Sequence, residues 1–442
     1  MVLKIYNTLT KKEQVFKPQK ENEVRMYVCG PTVNDVPHLG HARQQITFDI
    51  LRKYLKYSGY NVKFVSNVTD VDDKIINKAR ELNEDINELT KRNLKSHIED
   101  YSKIGVDKPD IQPFATKYIK EMIDLIKRLE EKGFTYVIER DGVYYDTSKF
   151  KDYGKLSGQN LENLKSESRK KLSEDKKNKE DFVLWKFSKP GEPLWQSPWG
   201  EGRPGWHIEC SAMSESILGL PLDIHGGGQD LIFPHHEDEI AQSEAAYGKK
   251  FANYWIHNGM VNVDKVKMSK SLGNFKTIRD LLENYSGEVI RYFVISNHYR
   301  KPVDFSEKTL ENAKNSYERL KNIISEIKND GNLNEKYLKE FSKSMDNDIN
   351  TAEALANLWK LVRDEKAEGK YKTIEKMDSV FGLKLLEKEE IKIPHEVEKL
   401  VKEREEARIN KDFKKSDILR DKIKEHGFLV SDSKEGQKIS KI

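Results

Sequence analysis

Residues 26–66 read MYVCGPTVNDVPHLGHARQQITFDILRKYLKYSGYNVKFVS, and their pattern decides the fold. Met26 to Gly30 is a short apolar run that reads as a strand. Gly30, Pro31, Asn34, Asp35 and Pro37 make the next segment turn-rich. From Ala42 to Tyr57, Ile46, Ile50, Leu51 and Leu55 recur at helical spacing, which predicts a helix, and Gly59 stops it. Val62 to Ser66 reads as a second strand. Strand, turn, helix and strand in this order predict a parallel α/β sheet, whose ligands gather at the carboxyl ends of its strands.

The pattern continues on both sides of this stretch. Thr116 to Lys132 carries Ile119, Met122, Ile123, Ile126 and Leu129 on one helical face, with Gly133 as a stop. Val143 to Tyr145 is strand-like. Lys165 to Asp181 is almost wholly polar and fits either a mobile loop or a charged surface ribbon. Past Val303 strand runs largely vanish and Lys/Glu-rich helices take over. That shift predicts a boundary at Asp304 to Lys308, and Pro394 predicts a second one.

The chain has 442 residues, enough for two to four domains of ordinary size. Its 78 basic and 74 acidic residues leave a net charge of +4. A nucleic-acid partner would therefore meet local patches rather than a uniformly basic surface. No run of about 18 apolar residues predicts a membrane span, and Met1 to Lys12 has no apolar secretory core. Two cysteines cannot build a disulfide framework, so the expectation is a cytoplasmic protein.

Two short motifs carry chemistry. His38-Leu39-Gly40-His41 follows a strand and opens a helix. Helix N-termini attract phosphate, Gly40 permits close approach to the backbone, and two imidazoles can donate to phosphate oxygens. Lys267-Met268-Ser269-Lys270-Ser271 would neutralise charge developing on a departing pyrophosphate. Taken singly, each reads as well as a surface turn or an exposed basic loop. Taken together and in this order, they resemble the HIGH and KMSKS signatures of class I aminoacyl-tRNA synthetases, with Leu39 in place of the usual isoleucine.

A third constellation lies between them. Trp206-His207-Ile208-Glu209-Cys210 precedes Gly226-Gly227-Gly228-Gln229-Asp230 and Phe233-Pro234-His235-His236-Glu237-Asp238-Glu239. Pro234 suits the start of a helix from His235 towards Ala246, which would place His235 and Glu239 on one face. Two thiolates, an imidazole and a carboxylate make a zinc-binding set. Singly, Cys29 or Cys210 reads as a buried thiol and His235–Glu239 as a solvated pair, and His236 and Glu237 are chemically as suitable.

These segments resemble the cysteinyl-tRNA synthetase family, and the resemblance spans nearly the whole chain. Tyr144-Tyr145-Asp146, Tyr153 to Gly158, Phe182 to Lys186, Ser197 to Gly200 and Gly202 to Trp206 also match it. So do Met345 to Thr351 and Glu405 to Asp421. The tail departs: the family often closes with Gly-Thr-x-Trp, whereas Gly436 is followed by Gln437, Lys438 and Ile439.

The resemblance implies an α/β fold with a Rossmann-type catalytic domain (1–113 and 206–305) interrupted by a connective insertion (114–205). A helical bundle (306–392) and an anticodon-binding unit (393–442) would follow. It implies a monomeric, non-membrane enzyme that forms cysteinyl-adenylate from L-cysteine and ATP, then charges tRNA-Cys. Cys29, Cys210, His235 and Glu239 take the zinc-ligand positions, one Zn2+ per chain, with Mg2+ accompanying ATP. His38, His41, Lys267 and Lys270 take the catalytic positions. His38, Gly40, His41, Asp230 and Lys270 take the ATP site, and Thr69 and Trp206 line the cysteine pocket. One rival is a cysteine ligase that acylates an amino sugar, against which the helical C-terminal half speaks. The other is a non-catalytic zinc-dependent RNA-binding protein, against which the intact lysine and histidine motifs speak.

Overall fold

The structure is a computed structural model that describes residues 2–159, 175–267, 275–387, 394–433 and 436–441. Of the polar segment 165–181, only 175–181 is described, a turn-rich approach to the strand Phe182–Phe187. Residues 268–274, with Lys270, lie outside the described residues.

Four parallel strands build the central sheet: β1 (Glu23–Val28), β2 (Asn61–Ser66), β3 (Leu222–Gly228) and β4 (Ala252–Asn258). Their spatial order is β4-β3-β1-β2. Met26 pairs with Phe64 on one side and Ile224 on the other. The inner strands are largely buried on both faces, as parallel sheets require, although β3 carries Asp223 and His225. The chain leaves β1 towards β2 and returns to β3 on the opposite side. This reversal opens a crevice beyond the carboxyl ends of β1 and β3, where such sheets hold their ligands.

Helix α1 (Leu39–Tyr57) connects β1 to β2 and buries Ile46, Ile50, Leu51 and Leu55. It begins three residues before the Ala42 expected from apolar periodicity. The reason is its cap: His38, an unusual residue for that place, accepts the free backbone N–H groups of Gly40 and His41. At the carboxyl end of β1 the chain passes very close to the end of β2. A methyl group on Gly30 would stand 1.7 Å from the Asn67 carbonyl oxygen, with backbone on both sides of the clash. Gly30→Ala is therefore expected to lower stability by about 1–3 kcal/mol. A lower urea midpoint at unchanged slope would show it, and an unaltered midpoint would refute it.

Both edges of the sheet are covered. Beside β2, Ser66 N–H donates to Ile111 O and Val68 N–H to Pro113 O. Beside β4, the Asn7 side chain accepts Trp255 N–H and donates to Asn253 O, while Thr8 N–H donates to Trp255 O.

The segment between β2 and the helix α2 (Ile208–Leu218) carries its own antiparallel sheet: Thr135–Ile138, Gly142–Tyr145, Phe182–Phe187 and Gly202–Pro204. Helix Ile119–Glu131 packs Met122, Leu125 and Ile126 into one cluster with Ala212 and Ala241. After β4, Val261–Val263 pairs with both Val266–Lys267 and Val303–Phe305. The helices that follow include Gly287–Ile295, Glu307–Ser325, Glu335–Asp346, Thr351–Arg363 and Lys370–Phe381. Their Phe341, Leu358 and Phe381 share one core with Met26 and Ile224 of the sheet.

The chain divides into two compact units, Met1–Leu386 and Glu387–Ile442. The second contains the helices His395–Ile409 and Phe413–Glu425 and a hairpin of Phe428–Ser433 with Gly436–Lys441. The hairpin differs from the expectation that strands largely vanish past Val303. Phe428 and Val430 pack while Leu429 between them is exposed, so its apolar run is only three residues long. Gln437, where the family pattern lapses, accepts from Arg404 and donates to Val401 O at 3.0 Å.

Candidate functional site

The crevice beyond β1 and β3 contains two chemically distinct groups of side chains. The first sits at the start of α1. His38 Nδ1 accepts Gly40 N–H at 3.0 Å and His41 N–H at 3.3 Å. In return, His41 Nδ1 accepts His38 N–H at 3.3 Å. The two rings stack with centroids 3.7 Å apart. Because each Nδ1 is an acceptor, the neutral rings carry their protons on Nε2. The cap thus yields two imidazole N–H donors at the positive end of a helix of 19 residues. Beside them, burial lowers the pKa of His97 to about 4, and the ring stays neutral between Asp35 O and the Tyr101 hydroxyl.

The described residues that follow 268–274 lie against this cap. Val266–Lys267 runs antiparallel to Asn262 and Val263 on the way in. On the way out, Leu39 N–H donates to Lys276 O and Ile278 N–H to Pro37 O, both at 3.0 Å. Phe275 lies edge-on to His38 at 5.0 Å. Arg43, one helical turn after His38, is buried and holds the carbonyls of Met260, Tyr299 and Lys301. The segments that flank residues 268–274 are therefore fixed relative to α1.

The second group brings together four residues from three distant segments. Cys29 follows β1, Cys210 lies in α2, and Glu239 lies in α3 (Glu237–Tyr247). His235 precedes α3 in the turn Ile232–His236, so the helix starts two residues later than expected. Its Nε2 is nevertheless 3.0 Å from Glu239 Oε1. Cys29 Sγ is 3.5 Å from Cys210 Sγ and 3.3 Å from Glu239 Oε1. All four are buried, and one atom from each falls within 4.8 Å of the others.

This donor set fits a zinc ion. Four tetrahedral ligands at about 2.0–2.3 Å stand about 3.3–3.8 Å apart. The sulfur pair lies inside that span, and the His235–Glu239 contact is slightly shorter. The electrostatics point the same way. Burial drives the Cys29 thiol well above its ordinary pKa, and neighbouring Cys210 adds to the rise. Burial opposes ionisation of Cys210 too, but the Cys29 hydrogen bond and His235 outweigh it and hold the pKa at about 6. Two thiols 3.5 Å apart cannot both ionise without a cation between them. Glu239 Oε2 is buried without a hydrogen-bond partner; its 3.0 Å contact with His225 Nε2 is not aligned as a hydrogen bond.

His225 in β3 has no special mark in the sequence, because the strand reads Leu-Asp-Ile-His-Gly-Gly-Gly and no periodicity singles out one of its buried polar residues. With His236 it completes a second donor set that shares Cys29 and Glu239 with the first. His207 and His257 extend the cluster: His207 Nδ1 is 3.0 Å from His235 Nδ1, and His257 Nε2 is 2.7 Å from His236 Nδ1. Burial pushes both His207 and His257 towards the neutral form, the latter to about 3.

Trp206 stacks on His235 at 4.3 Å. Thr69 is buried and donates to Glu209, a buried carboxylate whose Oε1 has no partner and whose pKa burial raises well above normal. Asp230 is exposed in the turn Gln229–Leu231, folded back over Gly228, where a methyl group would meet Asp230 Oδ1 at 2.4 Å.

Known proteins place this architecture. Residues 15–315 match the catalytic domain of tRNA synthetases class I (C). Residues 340–386 match the DALR domain, and residues 392–439 match the cysteinyl-tRNA ligase anticodon binding domain. The chain is 48% identical to the cysteine–tRNA ligase of Thermococcus onnurineus, covering 99% of this chain and 98% of that one. It is 46% identical to that of Finegoldia magna, with 98% of each chain covered. The Mycobacterium tuberculosis methionyl-tRNA synthetase in complex with methionyl-adenylate has the same fold, with a TM-score of 0.59 at 15% identity over 83% of this chain and 88% of that one. Among the described residues no helix is long and apolar enough to cross a membrane. With its crevice at the reversal of a parallel sheet and relatives at this identity along its whole length, the chain belongs to the cysteine–tRNA ligase family of class I tRNA synthetases.

Proposed function

We propose that the chain activates L-cysteine with ATP and passes the cysteinyl group to tRNA-Cys. The observation that carries this reading is the buried convergence of Cys29, Cys210, His235 and Glu239 beside the histidine-capped helix. Zinc, when bound there, supplies a soft Lewis acid that accepts a thiolate far more readily than a hydroxyl. That preference answers a selection problem, because a purely apolar pocket separates such near-isosteres by only about a hundredfold. Thr69 and Trp206 line the remainder of the cysteine pocket in this reading.

Adenylate formation needs little covalent help from the protein; orientation and charge stabilisation carry it. The substrate carboxylate attacks the α-phosphate, and the bond to pyrophosphate breaks. His38 and His41 donate from Nε2 to phosphate oxygens, with Gly40 leaving the helix N-terminus open to them. Lys267 and Lys270 neutralise the departing pyrophosphate, and Mg2+ accompanies ATP. Asp230 serves the ribose or adenine side of the ATP site. Arg43, which holds Met260 O, and the pairing of Pro37–Leu39 with Lys276–Ile278 support this assignment by holding described residues on either side of the lysine motif against α1 and its cap.

We assign residues 1–113 and 206–305 to catalysis, 114–205 to the insertion, 306–392 to the helical bundle and 393–442 to anticodon recognition, in a monomeric cytoplasmic enzyme. An amino sugar as acceptor is not favoured, since residues 392–439 match an anticodon binding domain. Cysteine-dependent ATP–pyrophosphate exchange, run with cysteine and with serine on protein of measured zinc content, tests the reading. Protein truncated after Lys392 is expected to keep the exchange rate within about twofold and to lose at least about tenfold in tRNA charging, the size of effect that follows removal of a strong recognition residue. Equal loss of both activities would refute the division of labour.

A further inference from the structure

A buried chain of hydrogen bonds runs from the carboxyl ends of β1 and β2 to α2 and passes through Thr69. Gly30 N–H donates to Asn67 Oδ1 at 2.8 Å, which fixes the Asn67 amide with its nitrogen towards Thr69. Asn67 Nδ2 donates to Thr69 Oγ1 at 3.3 Å, and the Thr69 hydroxyl donates to Glu209 Oε2 at 2.5 Å. All three side chains are buried. The Thr69 backbone is held as well: its N–H donates to Pro31 O at 3.1 Å, and its carbonyl accepts Val33 N–H at 3.2 Å. The other carboxyl oxygen, Glu209 Oε1, has no hydrogen-bond partner, and among the described residues no cation pairs with Glu209.

We infer that Glu209 is a positioning residue: it holds the Thr69 hydroxyl proton, so that Thr69 can only accept, and through Thr69 it selects the α-ammonium of the substrate. The inference rests on the reading above that the substrate is L-cysteine activated through its carboxylate. A hydroxyl has one proton and two lone pairs. In Thr69 the proton goes to Glu209 and one lone pair is taken by Asn67, which leaves a single acceptor site. Cysteine brings a thiol, a carboxylate and an ammonium. The sulfur goes to the metal-binding set and the carboxylate to the α-phosphate, so the ammonium is the one donor left for Thr69. The energetics favour the same partner. A buried acceptor oxygen without a donor costs stability. An ammonium on the far side of Thr69 supplies the positive charge that the neighbouring side chains do not, and it polarises the chain of hydrogen bonds towards Glu209. Glu209 itself is sealed from the crevice, so it acts through Thr69 rather than by touching the substrate.

The test is ATP–pyrophosphate exchange by the full-length zinc-loaded protein carrying Glu209→Gln, with two thiols as competing inhibitors. Cysteamine has the ammonium and no carboxylate; 3-mercaptopropionate has the carboxylate and no ammonium. KM for cysteine is expected to rise by at least about tenfold, the size of one hydrogen bond to a charged group, while kcat stays within about twofold because the ammonium does not change during the reaction. The inhibition constant of cysteamine should rise by the same factor, and that of 3-mercaptopropionate should not move. Zinc content should also stay at the wild-type level, which together with 3-mercaptopropionate binding shows that the pocket is intact. Thr69→Val should give the same pattern, and the double variant should be no weaker than the weaker single one, because both changes break one chain. Equal weakening of both inhibitors would reduce Glu209 to a packing residue and overturn the inference. So would an unchanged KM, loss of zinc in Glu209→Gln, or additive effects in the double variant. Weakening of 3-mercaptopropionate alone would place the shared proton on Glu209 and overturn it too. Absence of cysteine-dependent exchange in the wild-type protein would instead overturn the proposed function itself.

Discussion

Cys210→Ser is expected to strip the protein of its zinc and to reduce cysteine-dependent exchange by at least about a hundredfold, the upper range seen when even outer-shell partners of a metal ligand are removed. Serine is nearly isosteric, so packing is kept while the ligand is lost. Cys210 is buried against Tyr27, Cys29 and His235, and although His225 and His236 remain beside Cys29 and Glu239, no second sulfur replaces it. Cys29 would remain close to Glu239 with its ionisation still opposed by burial. Discrimination against serine should collapse along with the rate, because a hydroxyl and a thiol would then meet the same apolar walls. Metal analysis of the purified variant, with exchange measured for both amino acids, checks this. Wild-type zinc content and wild-type exchange would sink the metal assignment.

His38→Asn separates two roles carried by one side chain. Asparagine is among the best residues at a helix N-cap, so the bonds to Gly40 and His41 N–H are replaced and stability should stay within about 1 kcal/mol. The imidazole Nε2 donor is removed. Loss of one preorganised donor to developing charge typically costs about 10²–10³ in rate, and that is the expected fall in single-turnover adenylate formation. His38→Ala should show the same kinetic loss plus about 1 kcal/mol of cap energy. A wild-type rate in His38→Asn would leave His38 a structural cap alone.

Two strands of the parallel sheet, β1 and β2, were legible as apolar runs on either side of the helical stripe of α1, whereas β3, with Asp223, His225 and three glycines, was read only as a glycine-rich loop. The four residues that converge in the crevice, Cys29, Cys210, His235 and Glu239, were legible through resemblance. Other features left no such trace. The start of α1 was misplaced because the acceptor that caps it belongs to a histidine, outside the usual set of serine, threonine, aspartate and asparagine. The start of α3 moved because Pro234 belongs to the preceding turn rather than to the first turn of the helix. His225 went unnoticed because chemistry inside a fully buried strand follows no periodicity. The hairpin near the C-terminus was missed because its apolar run, Phe428-Leu429-Val430, is only three residues long and its second strand offers Ile439 alone.

The covered edges of the central sheet bear on how the protein survives its own synthesis. An uncapped strand can template a neighbour's chain and seed aggregates, and parallel sheets, built from distant pairings, form slowly. On one side the seal is made before the strand it protects: Asn7 and Thr8 leave the ribosome long before Trp255, so β4 can be capped as it emerges. On the other side the order is reversed. Ile111 and Pro113 follow β2 well downstream in the chain, and until they arrive its outer edge is bare. Vectorial synthesis therefore leaves one sticky border, and it is closed by the stretch that leads into the insertion.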